Sequence, residues 1–291
     1  MSTIQTLSYA KPGKYETTRF EKIHNVIFQN SVEASRIVAQ EIADLIKSKQ
    51  AKNKNCILGL ATGSSPIKVY EELVRLHKEE GLSFKNVVTF NLDEYYPMKK
   101  ENNQSYHYFM HQHLFNHIDI KPENTNILNG NAPDLDAECA RYEEKIKSYG
   151  GIDLFMGGIG PDGHIAFNEP GSSLTSRTRQ KTLTMDTIIA NSRFFDNDIN
   201  KVPKTSLTVG VGTVLSAKEV MIIVNGHNKA RALYHAVEGA ITQMWTISAL
   251  QMHEKGIIVC DDAATAELKV GTYRYFKDIE SAHLDPESLI K

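Results

Sequence analysis

The sequence predicts an α/β protein with a modified doubly wound, Rossmann-like parallel sheet and helices on both faces. Short apolar runs alternate with amphipathic helical patterns, and these runs are too continuous for strands with one face in water. The chain has 291 residues, 41% of them hydrophobic, which is enough for a large core. Without a repeat or a Pro/Gly-rich linker, we expect one domain over residues 21–291, preceded by a polar N-terminal arm, residues 1–20.

The predicted elements follow one another in a regular order. Residues 23–28 form the first apolar run, and Ser31 opens a helical pattern that continues to Lys49. Further strands are predicted at Cys56–Ala61, Asn86–Asn91, Ile152–Gly157, Glu219–Asn225 and Gly256–Asp261. The helices predicted between them include Pro66–Glu79, Ala132–Tyr149 and Asn228–Val237.

Charge and cysteine content exclude several classes of protein. The 33 basic and 35 acidic residues give a net charge of −2, so no overall field favours nucleic acid or an anionic membrane. Three dispersed cysteines, Cys56, Cys139 and Cys260, are typical of a reducing compartment. No apolar run has the length of a membrane span, and residues 1–20 lack a signal-peptide core, so we expect a cytoplasmic protein.

A glycine-rich loop, residues 157–170, follows the apolar run of residues 152–156. It carries Asp162, His164 and Glu169, whose side chains can exchange protons near neutral pH and orient one another. Loops that follow buried strands are where α/β enzymes keep their chemistry, so these three residues are predicted to be catalytic. The alternative interpretation is a polar loop whose histidine is only hydrogen-bonded.

A second loop of small residues, Thr62, Gly63, Ser64 and Ser65, lies between a predicted strand and Pro66. Proline suits a first helical turn, and the free N–H groups there form an anion site, so the loop is predicted to bind phosphate. The sequence matches neither the nucleotide P-loop nor the dinucleotide fingerprint, which favours a small phosphorylated metabolite. A tight turn capped by Ser and Thr is the alternative interpretation.

An acidic pair, Asp93 and Glu94, follows a third predicted strand. A carboxylate at the carboxyl end of a parallel strand points into the ligand crevice, so Asp93 is predicted to be a general base. Such a pair is also common as a helix cap or in a turn. Glu94 is predicted to face solvent or another subunit.

Four histidines, His107, His111, His113 and His117, have metal-like i, i+4 spacing in two pairs. The pairs fall on different helical faces without an evident third ligand, so we expect polar and core-edge roles and no metal site. Two cations, Arg193 and Lys229, could complete a phosphate site, although lone cations are common on surfaces.

Taken together, these segments resemble the glucosamine-6-phosphate deaminase (isomerase) family from about Val26 to Glu280. The phrases that carry the resemblance are TFNLDEYY, FMGGIGPDGHIAFNEPGSS, SRFFDND, VPKTSLTVGVGT and MWTISALQMH. The resemblance implies conversion of glucosamine 6-phosphate and water to fructose 6-phosphate and ammonia, without metal or organic cofactor. It also implies roles for residues found above: ring opening by His164 with Asp162 and Glu169, proton transfer by Asp93, and phosphate binding by residues 62–65.

The resemblance further implies that Arg193 and Lys229 bind the substrate phosphate and that the protein is a homohexamer. Some family members are activated by N-acetylglucosamine 6-phosphate at a second site between subunits. The positions that match this site are Ser172, Ser173, Arg179, Lys181 and Tyr275. Two hydroxyls and two cations suit a phosphate. A solvated basic loop is the alternative interpretation of residues 172–181.

Two other functions are compatible with the same fold. A 6-phosphogluconolactonase would hydrolyse a lactone and needs no base between C1 and C2, and Asp93 in its Asn-Leu-Asp-Glu-Tyr context argues against it. A sugar-phosphate-sensing regulator would normally carry a DNA-binding segment. Neither the N-terminal arm nor the near-neutral charge supplies one.

Overall fold

The computed structural model describes residues 23–280, so the predicted N-terminal arm lies outside the described residues. A seven-stranded sheet, in which every neighbouring pair is parallel, forms the centre of the fold. Its strands, in spatial order, are β1 (His24–Phe28), β10 (Gly256–Asp261), β9 (Glu219–Val224), β6 (Leu154–Gly158), β2 (Cys56–Leu60), β3 (Val87–Asn91) and β5 (Thr125–Asn126). The parallel sheet predicted from the apolar runs is therefore confirmed.

Helices cover both faces of this sheet, as predicted. The helices of residues 23–280 are α1 (Ser31–Ala51), α2 (Ile67–Glu80), α3 (Tyr106–His113), α4 (Leu135–Ser148), α5 (Met185–Asn191), α6 (Val211–Leu215), α7 (Ala230–Val237) and α8 (Val270–Ile279). The side chain of Asn30 accepts hydrogen bonds from the N–H groups of Val32 and Glu33, which explains why α1 begins at Ser31. Pro66 was predicted to be the first residue of α2 but occupies its N-cap position instead.

Alternate residues of each central strand enter two different cores. In β10, Ile257 and Val259 pack with α1 and α2, whereas Ile258 and Cys260 pack with α4 and α7 on the other face. This burial on both sides explains the continuous apolar runs in the sequence.

A second sheet of three antiparallel strands was not predicted. It consists of β4 (Asp93–Tyr96), β8 (Thr205–Thr208) and β7 (Arg179–Thr182), in that order. These strands could not be predicted from hydrophobic periodicity, because β7 has the polar sequence RQKT and β4 begins with two acidic residues. The antiparallel pairs are β4 with β8 and β7 with β8.

The order of the strands creates a crevice beside β2. The chain passes from β2 to β3 on one side, and returns to place β6 on the other side of β2. Loops after β2, β3 and β6 therefore meet at one edge of the sheet, which is the usual place for a ligand in such folds. Within residues 23–280, no helix is long and apolar enough to cross a membrane.

Candidate active site

A cavity of about 660 Å³ opens at the crevice beside β2. The loops after β2, β3 and β6 form its floor, and α3, α5 and the turn before α7 contribute to its walls. Nine residues predicted from the sequence line it: Thr62, Gly63, Ser64, Ser65, Asp93, Asp162, His164, Arg193 and Lys229. Residues that are far apart in the sequence thus share one cavity.

The loop after β2 presents backbone to this cavity. Gly63 has φ +90°, a conformation that side chains with a Cβ rarely adopt, so the turn depends on glycine. The N-terminus of α2 follows directly, and its N-cap residue Pro66 makes no side-chain capping hydrogen bond. First-turn N–H groups without a capping side chain favour a bound anion.

Two cations lie at the same cavity. Arg193 is in a 3-10 turn, Ser192–Phe194, and Lys229 is in another, His227–Lys229. Burial and the nearby charge of Arg193 lower the pKa of Lys229 to about 8, while Asp162 opposes the shift. Two cations that destabilise each other in the absence of a ligand are suited to sharing an anionic one.

His164 lies between two carboxylates of its own loop. Its Nδ1 is 2.8 Å from Asp162 Oδ1 and 3.7 Å from Glu169 Oε2. Burial opposes the imidazolium, but these two carboxylates outweigh it and raise the pKa of His164 to about 9. At neutral pH, His164 is therefore a positively charged acid that points into the cavity.

Glu169 is not part of the cavity lining and acts through its contacts. It is 1% exposed and accepts hydrogen bonds from the backbone N–H and the hydroxyl of Thr184, at 3.1 and 3.2 Å. These bonds fix the carboxylate that faces His164, so Glu169 can orient the imidazole without touching a ligand.

Tight packing holds the loop that carries His164. A Cβ on Gly160 would collide with the His164 ring and with Asp162 Oδ1, so any other residue would displace one of these side chains. Ala166 has φ +52°, an unfavourable conformation at a non-glycine residue. Buried Asn168 donates to the carbonyls of Ile165 and Val209, both at 2.8 Å, and thereby fixes the end of the loop.

Asp93 lies in the cavity just beyond the carboxyl end of β3, as predicted, but it belongs to a further strand that was not predicted. Strand β3 ends at Asn91, and Asp93 is the first residue of β4 in the small sheet. It is 7% exposed. Burial and the charge of Glu94 raise the pKa of Asp93 to about 8, and the charge of His164 opposes this shift. Such a carboxyl group has the proton affinity of a general base for work near neutral pH.

The prediction that Glu94 faces solvent or another subunit is wrong. Its side chain is 2% exposed, because it turns toward the N-terminus of α3 and accepts backbone hydrogen bonds there. Successive residues of a strand point to opposite faces, so Asp93 and Glu94 enter different environments.

Among residues 23–280, one group of three side chains has the chemistry to hold a metal ion: Asp162, His164 and Glu169, with ligand atoms within 4.8 Å of one another. The four histidines of residues 107–117 are placed differently. His107 and His111 stack at 4.5 Å between ring centroids on α3, and His117 lies beyond its end, in a 3-10 turn.

The five residues predicted to bind an effector lie on three different elements. Ser172 and Ser173 follow the loop of residues 157–170, Arg179 and Lys181 lie on β7, and Tyr275 is on α8, which packs against β1. Ser172 is buried and Ser173 is exposed. Arg179 donates a 2.8 Å hydrogen bond to Oδ1 of Asn168, the neighbour of Glu169. This contact links β7 directly to the loop that carries His164.

Several residues of the cavity were not found from the sequence. The rings of Tyr106 and Phe167 stack with their centroids 6.0 Å apart, and the ring centroid of Tyr95 lies 4.9 Å from that of Tyr106. Trp245 also lines the cavity and stacks on His235 at 3.8 Å. Aromatic residues in the sequence signal a core, and only the fold shows that these ones face a ligand.

The fold and the cavity define a modified doubly wound α/β protein whose binding site lies at the topological switch point. The chain belongs to the family described as glucosamine-6-phosphate isomerases/6-phosphogluconolactonase, whose sequence model matches residues 29–259.

Individual relatives agree with this assignment. The chain is 79% identical over 258 residues to a glucosamine-6-phosphate deaminase of Bacteroides thetaiotaomicron, covering 88% of this chain and 96% of the relative. It is 66% identical over 267 residues to one of Parabacteroides distasonis, covering 91% and 99%.

Solved structures show the same fold. A monomeric glucosamine-6-phosphate deaminase superposes with a TM-score of 0.81 at 43% identity, covering 84% of this chain and 99% of that protein. A 6-phosphogluconolactonase from Trypanosoma cruzi superposes with a TM-score of 0.66 at 19% identity, covering 85% and 97%. At that identity, the second likeness extends to the fold alone.

Proposed function

We propose that the protein is a glucosamine-6-phosphate deaminase, which converts D-glucosamine 6-phosphate and water to D-fructose 6-phosphate and ammonia. One observation carries the proposal. A carboxyl group with a raised pKa, Asp93, and a charged imidazole, His164, share a cavity with a helix N-terminus and two cations. The named relatives at 66% and 79% identity support it independently.

The phosphate of the substrate binds at residues 62–65, the N-terminus of α2, Arg193 and Lys229. These groups lie at the same cavity as Asp93 and His164. Binding the phosphate fixes the distant end of the sugar, and the remaining carbon atoms then reach Asp93 and His164 in one orientation. A dianion also restores a favourable environment for the protonated form of Lys229.

His164 opens the sugar ring. The imidazolium gives its proton to the ring oxygen as the C1–O5 bond breaks, and the C1 hydroxyl loses a proton to form the aldehyde. Asp162 and Glu169 hold the ring of His164 and stabilise its charge, as the distances of 2.8 and 3.7 Å support.

Asp93 then moves a proton between two carbon atoms. Its carboxylate accepts the proton from C2, forming an enolamine, and a proton is delivered to C1. The product is an imine at C2, which water hydrolyses to the ketone of fructose 6-phosphate with release of ammonia. The sequence of steps consumes one water and needs neither an oxidant nor a cofactor.

A direct assay separates this function from its rivals. In one assay, purified protein is incubated with glucosamine 6-phosphate, and ammonia and fructose 6-phosphate are measured. In the other, it is incubated with 6-phosphogluconolactone, and hydrolysis of the lactone is measured. We expect ammonia and fructose 6-phosphate in equal amounts. Lactone hydrolysis without ammonia would identify a lactonase. Binding of sugar phosphate without turnover of either compound would favour a regulator.

We also propose that N-acetylglucosamine 6-phosphate activates the enzyme at Ser172, Ser173, Arg179, Lys181 and Tyr275. The hydrogen bond from Arg179 to Asn168, beside Glu169, supports a link between such a site and catalysis. The effector should lower the substrate concentration needed for half-maximal rate, and Arg179→Ala should abolish this response. Identical rate curves with and without effector in the unmodified protein would refute it.

We further propose a homohexamer, because the effector positions match a site between subunits in the family, and a cytoplasmic location, because three dispersed cysteines are typical of a reducing compartment. Tyr275, 53% exposed on α8, is one position that a neighbouring subunit could cover. The relative at 43% identity is monomeric, so the family includes other assemblies. Sedimentation at equilibrium measures the subunit count, and a mass near 32.6 kDa would refute the hexamer.

A further inference from the structure

Glu94 is a buried carboxylate that the proposed chemistry does not use. Its Oε1 accepts hydrogen bonds from the N–H groups of Tyr95 at 2.9 Å and Tyr106 at 3.0 Å, and its Oε2 accepts one from His107 at 3.0 Å. Tyr106 and His107 are the first two residues of α3, whose N–H groups have no partner inside the helix. Glu94 thus caps α3 from a strand twelve residues earlier.

The backbone at Gly130 packs closely against the side chain of Glu94. A Cβ on Gly130 would lie 2.9 Å from Glu94 Cγ and would collide with the carbonyl of Tyr95. The backbone at Gly130 therefore covers Glu94, and Met98 N–H donates to the Gly130 carbonyl at 2.6 Å. The enclosure fixes the side chain between β4 and α3.

The first turn of α3 forms part of the cavity wall beside Asp93. Ser105 and Tyr106 both line the cavity, and the ring of Tyr106 stacks on Phe167. Phe167 belongs to the loop that carries His164. A shift of α3 away from β4 would therefore move the wall that faces Asp93 and disturb the packing of that loop.

Glu94 also acts on Asp93 by its charge. The ionisable groups around Asp93 are Glu94 on the same strand, His164 on the catalytic loop, and the tyrosines Tyr70, Tyr95, Tyr106 and Tyr142. Of these, Glu94 adds a negative charge that raises the pKa of Asp93 beyond the effect of burial, and His164 lowers it. The pKa of Glu94 itself is raised to about 7 by burial, against the effect of its three backbone donors.

We propose that Glu94 is a positioning residue for the proton transfer: it holds the first turn of α3 in place and acts electrostatically on Asp93. This inference deepens the proposed function and depends on it for its kinetic consequences. Neither role requires Glu94 to touch the substrate.

The test compares three variants of the whole protein. Glu94→Gln removes the charge and one acceptor, and Glu94→Asp keeps the charge but shortens the reach to α3. Glu138→Gln is the matched control, because Glu138 is also buried and accepts a backbone hydrogen bond, from Asn129 at 2.9 Å, but is not among the groups that shift Asp93.

Three quantities are measured: the pH profile of kcat/KM with glucosamine 6-phosphate, the carboxyl ¹³C titration of Asp93, and amide exchange at Tyr106 and His107. In Glu94→Gln, the acid limb and the Asp93 midpoint should move to lower pH, since a repelling charge is gone. We expect kcat to fall at least about tenfold, because the wall beside the base is misplaced.

Glu94→Asp should leave the acid limb and the midpoint near their original pH but speed amide exchange at Tyr106 and His107. Glu138→Gln should change none of these quantities. If Glu94→Gln does not fold, amide exchange at Tyr106 and His107 and the acid limb of the pH profile are still measured in Glu94→Asp, and they test the role of Glu94. Unchanged exchange in Glu94→Asp, or an Asp93 midpoint unmoved in Glu94→Gln, would overturn the inference.

The titration and the exchange need no turnover. An unmodified protein that releases no ammonia would refute the proposed function, while these two readouts would still test the role of Glu94.

Discussion

At the level of single residues, the proposed reaction depends on the carboxylate of Asp93, which accepts a proton from C2 of the sugar. Asp93→Asn keeps the size and shape of the side chain but cannot take up that proton, so turnover should fall by about 10² to 10⁴-fold. Phosphate-dependent binding should remain, because residues 62–65, Arg193 and Lys229 are unchanged. Trp245, the one tryptophan in the sequence, lines the cavity, and its fluorescence reports the binding. Near-normal turnover would remove Asp93 from the mechanism.

The raised pKa values of Asp93 and His164 predict a bell-shaped dependence of kcat/KM on pH. Asp93 must be ionised to accept a proton, so the rate rises as pH passes its pKa of about 8. His164 must be protonated to open the ring, so the rate falls as pH passes about 9. The two limbs describe the interacting pair and are measured as rates across this range at constant ionic strength.

Lys229 also titrates near pH 8, which calls for a control. Lys229→Arg keeps the positive charge throughout the range. If Asp93 and His164 cause the two limbs, both limbs persist in this variant. An alkaline limb that disappears in Lys229→Arg would assign it to phosphate binding instead.

At the level of secondary-structure elements, the loop that carries His164 requires a glycine at residue 160. In Gly160→Ala, the new methyl group would collide with the His164 ring and Asp162, so the 2.8 Å contact between them should be lost. We expect a fall in kcat of at least about a hundredfold with little change in phosphate binding.

Gly157→Ala is the control, because Gly157 lies near the end of β6, just before this loop. A Cβ on Gly157 would meet the flexible end of Ile222 at 3.3 Å, a contact that can adjust. Activity in this variant should stay close to that of the unmodified protein. Equal losses in both variants would show that an added methyl group is harmful at either glycine, and that the collision with His164 is not the cause.

Elements differ in how far the sequence could predict them. Strands buried on both faces, such as Gly256–Asp261, were predicted within a residue or two because their apolar runs are continuous. The strand Arg179–Thr182 has an alternating half-buried and exposed pattern of polar residues, and its partners are distant in sequence. Its pairing depends on tertiary structure that no local pattern contains.

The site was predictable to a different extent. Asp162, His164 and residues 62–65 stand in loops that follow strong strands, so composition and position suffice to locate them. The position of Glu94 could not be predicted, because its partners at Tyr106 and His107 are brought to it by the folding of α3. Whether Glu94 is buried or exposed on β4 depends on the position of α3, which the local sequence does not determine.

At the scale of the whole molecule, the parallel sheet brings the ends of β2, β3 and β6 together at the switch point. In the proposed reaction, Asp93 moves a proton from C2 to C1 of a sugar phosphate held in that cavity. A proton held on the carboxylate can exchange with solvent before it reaches C1, so deuterium from D₂O at C1 of the product indicates transfer through such a group.

The most direct measurement is turnover of glucosamine 6-phosphate in D₂O, with the fructose 6-phosphate analysed by NMR after prior dialysis of the protein against a strong chelator. We expect one ammonia per product molecule, deuterium at C1 in part of the product, and turnover about 10² to 10⁴-fold slower in Asp93→Asn. Near-normal turnover in Asp93→Asn, activity that returns only with added metal, or no ammonia from the unmodified protein would contradict the proposed reaction.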